Sequence, residues 1–223
     1  MKTGLDRALK ALVILLFWSA VACTNEHSTS GDATVAPRAD QVRPLLPGAR
    51  APSFAARRPD NSDFLFNPDA LEKPVIITFY RGGWCPYCTR YLMDLRHVEP
   101  ELLNMGFDLL FLSADSPDTL SAALEEVDVE YIVLSDNDLD VAKAFGVAFH
   151  LDAATYKNYV EHGHDLEGAS DRTHHNLPVP ATFVIGTNGT IEFVYANPNY
   201  KVRLTPEVLI AAAQVTAARE KGD

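Results

Sequence analysis

What this 223-residue chain lacks narrows the field before any motif is read. Three cysteines are too few for a disulfide framework to stand in for a core. No run approaches the roughly 18 consecutive apolar residues that a membrane-crossing helix needs. Positive charge is scarce: 19 Lys and Arg face 30 Asp and Glu, for a net charge of −11. With no basic cluster beyond the first ten residues, a nucleic-acid phosphate backbone finds no electrostatic foothold. Internal repeats are absent too. What the chain does have is 47% hydrophobic residues, enough to bury one generous core.

The N-terminus reads as an address. Lys2, Arg7 and Lys10 precede an apolar run from Ala11 to Ala22, too short to span a bilayer but suited to a secretory signal. Ala20-Val21-Ala22 supplies small residues for cleavage, and Cys23 follows at once. That order resembles a bacterial lipoprotein signal, in which the cysteine is lipidated, although Ala20 stands where the pattern prefers Leu. Residues 1–22 are therefore expected to direct export to the periplasmic side of a bacterial membrane. Residues 23–44 are rich in Ser, Thr, Asp, Arg and Pro, and the expectation is a flexible linker. A single domain over 45–223 follows.

Within that domain strands and helices alternate. Val75-Ile76-Ile77-Thr78-Phe79-Tyr80 is a β-branched and aromatic run, as in a strand buried on both faces. Tyr91, Leu95, Val98 and Leu102 then recur at helical spacing up to Gly106, with a bend expected near Pro100. Phe107–Leu112 and Tyr131–Leu134 read as strands, Ser116–Val127 and Asp138–Phe145 as helices. Residues 147–178 show no period and are expected to be irregular. Two strands, Ala181–Ile185 and Ile191–Tyr195, flank the hairpin signal Asn188-Gly189, and Thr205-Pro206-Glu207 opens a last helix. The fold class is α/β, with a mixed central sheet: parallel where helices cross over, antiparallel at the late hairpin.

The chemistry points to Trp84-Cys85-Pro86-Tyr87-Cys88, between the first strong strand and its helix. A helix N-terminus offers unpaired N–H groups and partial positive charge, which can lower a cysteine pKa from about 8.5 to roughly 3.5–7.5. Pro86 suits the first helical turn. Cys85 is expected to be exposed beyond the helix end and to attack, with Cys88 facing inward and resolving. Arg81 and Arg90 are close enough in sequence to stabilise a thiolate, and Trp84 to shape a substrate groove.

The segment from Phe79 to Cys88 resembles the active-site segment of peroxiredoxin-like proteins of the alkyl hydroperoxide reductase/thiol-specific antioxidant family. Leu177–Ile185 is similar to that family's second signature, and Ala51-Pro52-Ser53-Phe54 extends the likeness towards the domain start. The resemblance implies a thioredoxin-like fold and thiol-based antioxidant activity. It also brings departures. Aligned on Phe79-Tyr80, the family's peroxidatic cysteine falls on Cys88 and its active-site Thr on Cys85. The family's peroxide-binding Arg, just before the Thr-Phe-Val-Ile strand, is replaced by Pro180. A proline two residues before Thr182 looks instead like the cis-proline of thioredoxin-type oxidoreductases, implying a cis Val179–Pro180 bond, an isomer found in only about 5–6% of X–Pro bonds. Pro180 and Thr182 are accordingly candidate groove residues.

The reading is a thiol oxidoreductase that cycles the Cys85/Cys88 pair against hydroperoxides or protein disulfides. It calls for no metal, flavin or nucleotide cofactor, and for an external thiol reductant such as a thioredoxin-like protein. The rival is a copper- or zinc-binding protein that completes the dithiol with His174 or His175 from the loop that also holds His162 and His164. A third reading keeps the fold as an interaction module only.

Overall fold

The structure, a computed structural model, describes residues 34–124 and 130–220. The signal, Cys23, the first part of the expected linker and the acidic run Glu125–Asp128 lie outside them. A seven-stranded mixed sheet organises the molecule. Its strands are β1 (Phe54–Arg57), β2 (Asp63–Phe66), β3 (Val75–Tyr80), β4 (Asp108–Ser113), β5 (Ile132–Ser135), β8 (Ala181–Ile185) and β9 (Ile191–Ala196), in the order β2-β1-β5-β4-β3-β8-β9. The pairs β3–β4 and β4–β5 are parallel; the others are antiparallel. A separate pair, β6 (Ala148–His150) and β7 (Asn176–Pro178), stands beside the sheet.

Side-chain alternation along β3 sorts the interior into two layers. Val75, Ile77 and Phe79 point to one face, where they meet Leu110, Leu112, Phe145 and Phe183. Ile76 and Tyr80 point to the other, with Leu109, Phe111 and Val184. Two helices cover that second face: α1 (Pro86–Arg96), through Cys88, Tyr91 and Leu95, and α7 (Pro206–Glu220), through Leu209 and Ala213. All six residues of β3 are buried, as a strand covered on both sides requires. The expected bend is a full break: α1 stops at Arg96, and α2 (Glu99–Asn104) restarts with Pro100 in its first turn, where a proline loses no hydrogen bond. Helix α3 is seen over Pro117–Leu124, and α4 is shorter than expected, Asp140–Ala144.

Three expectations are corrected. The second half of the expected linker is docked: Ala36 exchanges hydrogen bonds with Ala148 and His150, Arg43 N–H reaches Gly146 O, and Leu45 N–H reaches Phe145 O. Backbone pairing holds this strap, with Val35 and Val42 against the core, so the ordered domain begins by residue 34. Residues 147–178 are not irregular. They hold β6, β7, α5 (Ala153–Glu161) and α6 (Leu166–Ser170), and α5 buries none of its residues, so it carries no apolar stripe to read. Finally, no peptide bond among the described residues is cis. Val179 N–H donates to Val147 O and Pro180 O accepts from Asn197 N–H, a trans arrangement that satisfies both neighbours of the bond. The β1–β2 hairpin, too short for a clear period, has no counterpart in the sequence reading.

Candidate active site

The loop Arg81–Cys85 joins β3 to α1 and turns on Gly82, whose φ of +145° is open to glycine but not to an L side chain. A Cβ there would lie 2.5 Å from Asp115 Oδ1. Gly83 N–H donates to the other Asp115 oxygen at 2.7 Å, which ties the loop to the end of β4. Cys85 is the N-cap of α1 in an extended conformation, and Cys85 O accepts Cys88 N–H (2.9 Å) and Thr89 N–H (3.1 Å) as the helix begins. The two sulfurs therefore share one helical turn.

Both cysteines are free thiols and both are buried, Cys85 at 2% exposure and Cys88 at 0%. The exposed Cys85 of the sequence reading is thereby corrected. The cover comes from the segment between β6 and β7: Trp84 packs against Tyr159 of α5 (ring centroids 5.9 Å apart) and against His164 (5.5 Å). The Cys88 thiol donates to Cys85, and this bond, aided by the Arg81 charge and the Cys88 N–H, brings the Cys85 thiol down to about 6 against the opposing effect of burial. Cys88 is pushed up, first by donating that bond and then by its own burial.

Arg81 is 2% exposed and lies within a cage of aromatic faces: Tyr200 at 4.1 Å, Trp84 at 4.9 Å and Tyr159 at 5.0 Å from its guanidinium carbon. The aromatic quadrupoles supply electrostatic compensation that a carboxylate would otherwise give. A second guanidinium arrives from the segment between β9 and α7. Arg203 Nη2 donates to Cys88 Sγ at 3.1 Å, while its Nε and Nη1 are buried without a partner. Among the described residues no carboxylate forms a salt bridge with either arginine. Two guanidinium groups, each set against aromatic faces and neither paired with a carboxylate, thus stand beside the thiol pair.

Arg203 escaped the sequence reading because it lies 115 residues from Cys88 and no local pattern marks it. It puts a guanidinium at the dithiol even though Pro180 occupies the position where the family pattern has one. Arg90, proposed alongside Arg81, is solvent-facing on α1. Pro180 lines a groove of about 230 Å³ together with Arg81, Tyr159, Tyr200 and Phe149. Thr182 does not line it: at 2% exposure it sits inside the sheet, its hydroxyl 3.3 Å from that of Thr78 on the neighbouring strand. The histidines are engaged elsewhere. His174 Nε2 meets Asn137 O, and His175 pairs with Glu167 and stacks on Tyr156. Among the described residues no group of three or more His, Cys, Asp or Glu could hold a metal ion, so the metal-binding reading finds no support.

Comparison with known proteins agrees with this geometry. Residues 47–194 match the AhpC/TSA family. A putative peroxiredoxin Bcp of Haemophilus influenzae is 34% identical over 106 residues, covering 48% of this chain and 68% of that protein. Peroxiredoxin Bcp of Escherichia coli is 35% identical over 107 residues, covering 48% and 67%. Among solved structures, a peroxiredoxin-like protein from Aquifex aeolicus superposes with a TM-score of 0.59 at 18% identity, covering 78% of this chain and 89% of its own. Peroxidoxin BcpB of Mycobacterium tuberculosis superposes at 0.57 and 19% identity, covering 80% and 97%; at such identities these two bear on the fold alone. From a thioredoxin-like sheet, a buried thiol pair at a helix start and a family match over more than half its length, the chain belongs to the AhpC/TSA family and is a peroxiredoxin-type, thiol-dependent peroxidase.

Proposed function

We propose that this peroxidase uses Cys85 as nucleophile and Cys88 as resolving thiol. The observation that carries the assignment is the placement of the sulfurs: Cys85 is the N-cap of α1, at the helix's unpaired N–H groups, while Cys88 lies within the first turn at 0% exposure, and the electrostatics run the same way, lowering Cys85 and raising Cys88. The Cys85 thiolate attacks the distal oxygen of a hydroperoxide. An S–O bond forms, the O–O bond breaks, and the departing alkoxide takes up a proton to leave as the alcohol. The Cys88 sulfur then attacks the sulfenic sulfur: an S–S bond forms, the S–O bond breaks, and water leaves. An external dithiol, such as that of a thioredoxin-like protein, reopens the disulfide by exchange. Two sulfurs buried at 2% and 0% favour a small peroxide over the disulfide of a folded partner. The groove beside Pro180 reaches Arg81, whose charge acts on Cys85.

Trapping the sulfenic acid with a cyclic dione, followed by peptide mass spectrometry, tests the assignment. Cys88→Ser should carry the adduct on Cys85, and Cys85→Ser should carry none. An adduct on Cys88 in Cys85→Ser would reverse the two roles.

The same proposal includes export by residues 1–22 and lipid attachment at Cys23, supported by the charge, length and small-residue order of that segment. Lipidation would leave Cys85 and Cys88 as the only thiols. Palmitate labelling of cells should be lost in Cys23→Ser. Retained label would place the lipid elsewhere.

A further inference from the structure

The groove of about 230 Å³ beside Pro180 carries one charge that no side chain answers. The other charged groups along its walls have partners. Arg38 pairs with Asp40, Asp152 accepts Ala154 N–H and Thr155 N–H at the start of α5, and His150 Nδ1 lies 2.9 Å from Asn176 Oδ1. Arg81 differs. It is 2% exposed, its Nε is buried without a hydrogen-bond partner, and no carboxylate among the described residues pairs with it.

The aromatic cage meets only half of what a guanidinium needs. The faces of Tyr200, Trp84 and Tyr159 offset the charge. They do not replace acceptors for the N–H groups, of which the Tyr159 hydroxyl can take one. A carboxylate meets both needs, because its two oxygens match the guanidinium fork and its charge cancels the cation. Phe149, Leu151, Val179 and Pro180 add apolar wall to the same groove, so its ligand combines one carboxylate with an apolar body. Part of the groove belongs to this chain and not to the family pattern. Arg38 and Ala39 on the strap, and Pro198 and Tyr200 after β9, line it from outside residues 47–194.

We infer that this groove binds a small monocarboxylate with an apolar body, its carboxylate on Arg81, and that an occupied groove slows the reaction of Cys85. Binding follows from the groove alone. The slowing rests on the dithiol roles proposed above: a bound carboxylate cancels the guanidinium charge that helps to ionise Cys85, so less of the thiolate is present.

Phenylacetate is the probe, and its neutral amide is the control. In isothermal titration of the reduced full chain, phenylacetate should bind with a Kd of about 1 mM or below, and phenylacetamide at least about tenfold more weakly. Arg81→Met should lose the difference between the two. Should that variant not fold, Ala39→Trp, which fills the groove from the strap, should abolish binding. No binding, equal affinity for acid and amide, or full affinity in either variant would overturn the site. The second readout is alkylation by iodoacetamide, with the modified cysteine mapped by mass spectrometry. Raising Cys85 by about one unit from about 6 slows its alkylation about fivefold at pH 6 and hardly at all at pH 8. Cys88 and Arg203, the other ionisable groups facing Cys85, are the same with and without the probe. Saturation with no slowing, or with equal slowing at both pH values, would overturn the charge effect. Slowing that maps to Cys88 would reverse the thiol roles and keep the carboxylate site.

Discussion

Replacing Arg203 with methionine separates activity from stability. In the proposed cycle a reductant opens a Cys85–Cys88 disulfide at Cys85, and Cys88 leaves as a thiolate beside Arg203 Nη2, 3.1 Å away in the reduced state. A hydrogen bond between charged partners contributes about 1.5–3 kcal/mol. With roughly half of the charge developed in the exchange transition state, its loss slows reduction about three- to twelvefold. The fold should respond in the opposite sense. Arg203 keeps two buried donors without partners, each costing about 1–3 kcal/mol, and methionine of similar reach removes both. The midpoint of thermal unfolding should therefore hold or rise, by about 2–4 °C per kcal/mol in a domain of this size. The assay is stopped-flow reduction of the oxidised protein by dithiothreitol, paired with calorimetry on the reduced form. Arg203→Lys should recover part of the rate because it keeps the charge. Reduction of Arg203→Met at the wild-type rate, or a drop of several degrees in its midpoint, would refute the reasoning.

Three further outcomes follow from the geometry. Gly82→Ala places a Cβ against Trp84 Nε1 and Asp115 Oδ1 at a φ of +145°, and strain plus overpacking should cost about 2–4 kcal/mol in a urea melt; wild-type stability would mean the loop yields freely. Tyr200→Ala removes the nearest ring over Arg81 and should lower stability by about 2 kcal/mol, while Tyr200→Phe keeps the π face and stays close to wild type. Equal losses in the two would assign the effect to the hydroxyl. Asp115 and Asp136 bind protons more tightly in the folded state, at about 6 and about 7, than at their ordinary 3.8. Their contribution is therefore fullest below pH 4 and is lost as pH rises to about 7. Urea midpoints should fall over that window, less so in Asp136→Asn, and a midpoint that rises with pH would contradict the sign.

The features legible in the sequence were those with a local cause. The β-branched and aromatic run from Val75 to Tyr80 leaves a strand few alternatives to burial, Pro86 marks a helix start, Pro100 marks an interruption that reads as a bend and is a break, and Asn188-Gly189 forces the hairpin turn. The Cys85/Cys88 spacing points to a strand–helix junction for the same reason, and both free thiols lie at the start of α1. Features set by distant partners could not be read. The strap before residue 45 is held by main-chain groups, which every residue has, so composition suggested a tether. Helix α5 hides in the sequence because it has no buried face, yet it carries Tyr159 over Arg81 and Trp84 and so reverses the expected exposure of Cys85. Arg203 reaches Cys88, and Asp115 the loop just before the dithiol, from other elements, and only the fold brings them there.

Placing both sulfurs within one turn of α1 also sets how the enzyme survives its own substrate. In the proposed cycle a sulfenic acid on Cys85 has two fates: capture by Cys88 or a second encounter with peroxide, which carries the sulfur on to the sulfinic state. Cys88 is held by the same helical turn, so no segment has to unwind or cross the molecule to reach it. Even at a modest millimolar effective concentration it outcompetes micromolar peroxide by about a thousandfold at equal intrinsic reactivity. On the proposed roles, the helix start is a kinetic fuse guard that spares the nucleophile for the next turnover.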